Sequence, residues 1–453
     1  MDWFDVLTGD AESVDPADSV AIAEAIILHA DAEGVPHFTR DVWEGLIASH
    51  DKDSIRRALA DHIINNRVPF PYQQITLGDV AKRFTALCSR DWCSFIDPYS
   101  EYEARFGYDI WNHGLGVIPW TLGFNEVSNY YQQENRYACP GYASRSPLDL
   151  WSDRDALASF NWPFWRYTVR GVNRYSFRQA FAIASYVAMQ FKPQVAKAMY
   201  GWMGRGVVLD PSCGWGDRLA GFYCTGESHT YLGSDPNRAV WEVYKKQALD
   251  YERLLGGTPT LQQGEINGVP YFTVRGNKQA TIFNAPAEDA PWEEVVPDSG
   301  VDLVFTSPPY FGVERYADGT PSESAQSWFR YPTIDLWLND FLIPLFVRLS
   351  RLVNDRGFCA VNIVDPLWRG QRLPVCRPLH DALVDSGMTY AGVVAMALRN
   401  RLSPDGSGLS TRYSEPIWVF RKGVEVPSLP LDVFDTGGQP QPSVPVLQGE
   451  ETP

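Results

Sequence analysis

Apolar residues along this chain change their period twice. Over 15–95 they recur at helical spacing: residues 21–28 are rich in apolar side chains, Thr39 stands as an N-cap before Val42, Leu46 and Ile47, and Ile55, Leu59 and Ile63 lie four apart. Between 97 and 165 no period holds, and aromatic, amide and glycine residues dominate, as in Tyr108-Asp109-Ile110-Trp111-Asn112-His113. From about 175 onward short β-rich runs alternate with helical stretches. The runs at 207–210, 230–235, 281–283, 301–305, 358–364, 390–397 and 416–420 predict seven strands. Strands separated by helices predict an α/β fold, a seven-stranded, doubly wound, parallel-dominated sheet, with its ligand crevice beyond the carboxyl ends of the strands. A long apolar helix over 180–199, interrupted at Pro193, precedes the first strand. Four regions follow from this pattern. They are an acidic, mainly helical or irregular N-terminal region 1–95, an aromatic and amide-rich region 96–174 suited to target recognition, the sheet domain 175–423, and a Pro-rich acidic tail 424–453 expected to be disordered.

Charge first appears to exclude one class of partner, and its distribution then readmits it. The 453 residues include 39 Lys and Arg against 55 Asp and Glu, a net charge of −16. Affinity for phosphates rests on Lys and Arg, so that total argues against nucleic acid. Residues 1–50 hold eleven of the acids and one base, however, and 424–453 hold five acids and no base, which leaves the body nearly neutral. Within the body, 165–206 carries Arg166, Arg170, Arg174, Arg178, Lys192, Lys197 and Arg205 and no acid. The four arginines recur every fourth residue, which on a helix places them on one face among Trp165, Tyr167, Tyr175 and Phe177. A nucleic-acid face and a solvated or ion-paired face both fit that spacing. The acidic start, Met1-Asp2-Trp3-Phe4-Asp5, lacks the basic region of a secretory signal, and no run of about 18 apolar residues occurs. The expectation is a cytoplasmic protein without membrane contact. The seven scattered Cys show no C-x-x-C pairing, so reduced thiols and no metal site are expected.

Two motifs carry chemistry. Asp210-Pro211-Ser212-Cys213-Gly214-Trp215-Gly216-Asp217 follows one strand and opens a helix. Its glycines let the backbone approach a ligand, and the helix start offers free amides. Asp235 ends the next strand, where a carboxylate can hold the two hydroxyls of a ribose. The second motif, Thr306-Ser307-Pro308-Pro309-Tyr310, follows the fourth strand. Consecutive prolines stiffen that loop and leave its carbonyls free to accept. The hydroxyl of Ser307 and the carbonyl of Pro308 form an acceptor pair able to grip an amine, and Tyr310 supplies a flat face beside it.

These residues resemble the S-adenosylmethionine-dependent DNA amino-methyltransferases, the N4-cytosine and N6-adenine family. The resemblance rests on the 210–216 loop, Asp235 and Thr306-Ser-Pro-Pro-Tyr310, with Phe191-Lys192-Pro193 similar to the family's cofactor segment and 415–422 to its closing strand. It spans roughly 175–423 and implies a Rossmann-like methyltransferase fold with S-adenosyl-L-methionine as cofactor. Phe191, Lys192, Pro193, Asp210, Pro211 and Cys213 would then contact the cofactor, with Gly214 and Gly216 passing under its methionine part. Asp235 and the adjoining Pro236 would meet the ribose. Ala287 and Glu288 would flank the adenine, although Pro286 stands where the family often has an acid or amide.

Catalysis would belong to Ser307, Pro308, Pro309 and Tyr310. The implied partner is double-stranded DNA whose target base has left the helix. Serine before Pro-Pro-Tyr favours N4 of cytosine over N6 of adenine within the family. DNA contacts are expected from Arg166, Arg170, Arg174 and Arg178, and from Arg399, Arg401 and Arg412 around the Gly- and Ser-rich 403–408, for which a solvated loop fits equally. A restriction or defence partner is compatible with the resemblance. Competing readings are the same chemistry on RNA or a nucleotide, and a non-catalytic cofactor-binding protein that recognises DNA. An NAD oxidoreductase is disfavoured, because the Pro-Pro-Tyr loop would have no task.

Overall fold

The computed structural model describes residues 16–97, 114–118, 123–160, 171–397 and 414–423. Its centre is a ten-stranded sheet. In chain order the strands are β1 (Gly114–Ile118), β2 (Gly206–Asp210), β3 (Ser228–Ser234), β4 (Thr260–Ile266), β5 (Val269–Arg275), β6 (Gln279–Phe283), β7 (Val301–Thr306) and β8 (Val353–Asn362). A separate ribbon of β9 (Leu367–Trp368) and β10 (Gln371–Arg372) follows, then β11 (Met388–Ala397) and β12 (Ser414–Lys422). The sheet runs β1-β11-β12-β8-β7-β2-β3-β6-β5-β4.

All seven expected strands are present as the consecutive block β6-β3-β2-β7-β8-β12-β11, in which β12 alone runs against its neighbours. The arrangement is a Rossmann-like, doubly wound sheet. The strand count is nonetheless higher than seven, because β1 pairs in parallel with β11 at one edge and the β4–β5 hairpin extends the other. That hairpin turns at Asn267 and Gly268, both with positive φ, the two-residue geometry that Asn-Gly favours. β4 is exposed along nearly its whole length and so has no apolar alternation by which to recognise it.

Neighbouring residues on each central strand enter opposite cores, as strand pleating requires. Val208, Leu303, Phe305 and Ala360 face one apolar cluster, whereas Leu209, Val304, Cys359 and Val361 face the other. The first cluster also takes Val80, Phe84, Leu87, Trp92, Val127 and Tyr131, so residues N-terminal to the sheet domain help to build one of its layers. A third cluster joins Ile22, Trp43, Ile55 and Leu59 to Trp151, Phe177 and Phe181.

The single helix expected over 180–199 is two helices, Arg174–Ala184 and Pro193–Met203. Pro193 starts the second helix, where its missing amide would have had no partner in any case. The non-helical stretch between them crosses the carboxyl ends of the strands. Among the described residues no helix is long and apolar enough to cross a membrane, and no group of three or more His, Cys, Asp or Glu could hold a metal ion. None of the seven cysteines is in a disulfide.

Candidate active site

β2 ends at Asp210, and the loop behind it reaches helix Asp217–Tyr223 through Gly214 (φ 64°) and Gly216 (φ 76°). Both angles are left-handed, and a Cβ on Gly216 would collide with the amide of Gln247. The carboxylate of Asp210 is fully buried and accepts from Arg218 Nε (2.8 Å) and the Tyr231 hydroxyl (2.7 Å). Arg218 is buried as well; its Nη2 donates to the Ser212 carbonyl and lies 3.4 Å from Thr306 Oγ1. One guanidinium therefore ties the glycine loop to the start of the Pro-Pro loop, beneath the ring of Phe191 at 5.2 Å.

A first cleft of about 650 Å³ opens beyond β2 and β3. Pro211, Ser212, Gly214, Trp215, Asp235 and Pro236 line one side, and Ala287, Glu288, Ser307, Pro309, Gln326 and Phe341 are among those lining the rest. Asp235 Oδ1 accepts from the Asn237 amide and Oδ2 from the Tyr244 hydroxyl, each at 2.8 Å. Burial pushes its carboxyl up to about 7, with those two hydrogen bonds opposing. Glu288 Oε1 accepts from the Tyr331 hydroxyl (3.0 Å) and pairs with Arg330 Nη1 (2.7 Å), whereas Oε2 is buried without a partner. Burial raises this carboxyl too.

A second cleft of about 950 Å³ lies on the other side of the Pro-Pro loop. The crossing stretch contributes Tyr186, Met189, Gln190, Phe191 and Lys192, and Cys213, Asp217, Pro308, Tyr310, Glu314, Asn362 and Glu415 complete much of its wall. Asp217 is buried; its Oδ1 accepts from Ser128 Oγ and from Gln190 Nε2 (3.0 Å), and its Oδ2 has no partner. Burial lifts Asp217 to about 7. Glu314 Oε1 accepts from the Tyr186 hydroxyl (2.5 Å) and the Met189 amide (3.1 Å), which fixes the crossing stretch over the cleft. The Tyr310 hydroxyl donates to the Asn362 carbonyl at 3.3 Å, and Asn362 Nδ2 donates to the Pro416 carbonyl at 3.0 Å. Gly214, Trp215, Ser307 and Tyr316 line both clefts, which therefore meet at the loop carrying Ser307.

No protein-family model and no curated protein matches this chain. Solved structures are similar to it over about half its length. Precorrin-6y C5,15-methyltransferase from Geobacter metallireducens has 11% identity over 51% of this chain and 87% of its own, with a TM-score of 0.30. Trm1 from Pyrococcus horikoshii, solved with S-adenosyl-L-methionine, has 13% identity over 51% and 56%, with a TM-score of 0.29. A methyltransferase from Pyrococcus furiosus has 14% identity over 55% and 100%, also at 0.29.

The structure gathers most of the residues singled out from the sequence at these clefts. Asp210, Gly216 and Pro193 line neither cleft. The Asp210 carboxylate is engaged by Arg218 and Tyr231, so its task is to hold the loop, and Gly216 and Pro193 act through backbone geometry. The arginine row is corrected more strongly. Arg174 pairs with Asp31 (2.7 Å) and Glu33 (2.8 Å), which neutralise it, and the half-buried Arg178 donates to the Pro71 carbonyl (2.8 Å), so both anchor their helix to the N-terminal layer. Arg166, Arg170, Arg399, Arg401 and Arg412 lie outside the described residues. Sequence reasoning missed Arg218, Asp217, Glu314, Asn362 and Glu415. Asp217 stood inside the quoted loop, but the partners that bury it come from Ser128 and Gln190.

Proposed function

We propose that this protein transfers a methyl group from S-adenosyl-L-methionine to an exocyclic amine of a DNA base, with N4 of cytosine favoured over N6 of adenine. The observation that carries the reading is the meeting of two clefts at Ser307. One carries acidic groups suited to a nucleoside-bearing donor, and the other ends on an amine-gripping loop.

The residues fit the donor. Asp235 would accept from the ribose hydroxyls, the apolar walls at Ala287 and Phe341 would take the adenine faces, and the orphaned Glu288 Oε2 would accept from the adenine amine. The methionine part would pass the junction into the second cleft, where the orphaned Asp217 Oδ2 would receive its ammonium and Lys192 its carboxylate. When bound, the cofactor supplies an electrophilic methyl group on a sulfonium sulfur. Ser307 Oγ and the Pro308 carbonyl accept the two amino hydrogens of the base, which aims the nitrogen lone pair at the first cleft. Tyr310 packs against the base, its hydroxyl tied to the Asn362 carbonyl so that the ring is held in place. Ser307 Oγ would take up the amino proton displaced on methylation as its own hydroxyl proton passes to water. Positioning and fixed dipoles supply the acceleration.

Labelled S-adenosylmethionine offered with duplex DNA, single-stranded DNA, RNA and free nucleotides in parallel tests the reading. Label in duplex DNA is expected, and label confined to RNA or nucleotides overturns it.

A further inference from the structure

The carboxyl end of β8 carries more than a cleft wall. Asn362 lines the second cleft, and the chain then rises into the β9–β10 ribbon. Leu367 pairs with Arg372 and Trp368 with Gln371, so these pairs occupy opposite faces of the ribbon. The Trp368 face is seated: its ring lies 3.9 Å from Tyr142 and 5.4 Å from Phe311, the residue following Tyr310, and a Cβ on Gly312 would run into it. The other face is bare, with Leu367 63% exposed.

The tip, Arg369 and Gly370, has φ of 48° and 80°, a two-residue turn in which the arginine occupies a left-handed conformation that suits Asn or Gly better. Arg369 and Arg372 are exposed, and among the described residues neither pairs with a carboxylate. Asp365 is engaged in capping, accepting from the amides of Val375 and Cys376 at 2.9 Å, and its backbone carbonyl accepts from Arg372 Nη1 at 3.1 Å. The Arg369 guanidinium lies 5.5 Å from the Trp368 ring. A ribbon packed on the catalytic loop thus presents, beside the amine-binding cleft, one apolar side chain and two guanidinium groups whose charge no carboxylate offsets among the described residues.

We propose that this ribbon is the wedge that enters duplex DNA beside the target base, Leu367 filling the step from which the base has swung out while Arg369 and Arg372 hold the flanking phosphates. The inference rests on the function proposed above and names how a paired base reaches the second cleft. Apolar wedges that unstack a base step, and arginines that release counterions, are the two groups such a step requires. Single-stranded acceptors would give Leu367 nothing to displace.

The test uses the full chain and duplex oligonucleotides bearing the sequence at which the wild type deposits label in unmethylated plasmid DNA. Leu367→Ala is expected to slow transfer to the matched duplex about tenfold, and an abasic site opposite the target base, which lowers the opening cost, is expected to restore the rate. Cofactor affinity is expected to be unchanged. Arg369→Ala with Arg372→Ala is expected to weaken duplex binding and reduce the slope of log affinity against log salt by about 1.8. A Leu367→Ala rate equal to wild type, or equally slow on matched and abasic duplexes, overturns the wedge and leaves the proposed function standing. Transfer by the wild type to single-stranded DNA alone overturns the wedge, and transfer to RNA alone overturns both.

Discussion

Asp235 lines one cleft and Tyr310 the other, with Ser307 shared, and the roles proposed for them separate binding from transfer. Asp235→Ala removes the proposed ribose acceptor and is expected to weaken cofactor binding at least tenfold by calorimetry. Tyr310→Ala is expected to spare that affinity and abolish transfer; an equal fall in cofactor affinity for both variants would contradict the assignment. Asp217 makes a second prediction, through pH. Burial raises both Asp217 and Asp235 to about 7, and ionised carboxylates are the forms that receive an ammonium or two hydroxyls. Cofactor affinity should therefore rise as pH climbs through about 7. Asp217→Asn should flatten that rise in part, and adding Asp235→Asn should flatten it fully. The sign for stability is opposite: the folded state binds more protons than the unfolded one between the ordinary carboxylate range and about 7, so the ligand-free melting temperature should fall over that interval. Asp235 and the Ser307 to Tyr310 run were legible from sequence because each follows directly on a strand end. Asp217 was not, because its burial depends on side chains as distant as Ser128.

At the scale of elements, the site is a set of loops held together by buried polar groups. Arg218 joins the loop after β2 to the loop after β7, and Glu314 joins the latter region to the stretch between helices Arg174–Ala184 and Pro193–Met203. Removing Arg218 leaves the buried Asp210 carboxylate without its counter-charge, held only by the neutral Tyr231 hydroxyl and the Ser212 amide, so Arg218→Ala is expected to cost about 3–5 kcal/mol in urea denaturation. A loss below about 1 kcal/mol would show that the ion pair does not hold the loops. The seven strands of the central block are readable as β-rich runs because both faces of them are buried. β4 is not, being exposed on nearly every residue, and the apolar run over 180–199 reads as one helix although Pro193 begins a second.

For the whole molecule, net charge was a poor guide in both directions. The acidic N-terminal region reaches the basic stretch directly, since Asp31 and Glu33 neutralise Arg174, and Lys197 is buried with its ammonium on the carbonyls of Leu87, Cys88 and Arg90. The proposed wedge places its positive charge instead on the exposed Arg369 and Arg372. Two clefts meet at one serine, and the proposed function stands on what would pass between them. Incubating the wild type with S-adenosylmethionine and unmethylated duplex DNA, then separating the nucleosides by mass spectrometry, tests this most directly. N4-methylcytosine that disappears with Tyr310→Ala is the result expected. N6-methyladenine would overturn the choice of base, and unmodified DNA beside methylated RNA would contradict the account.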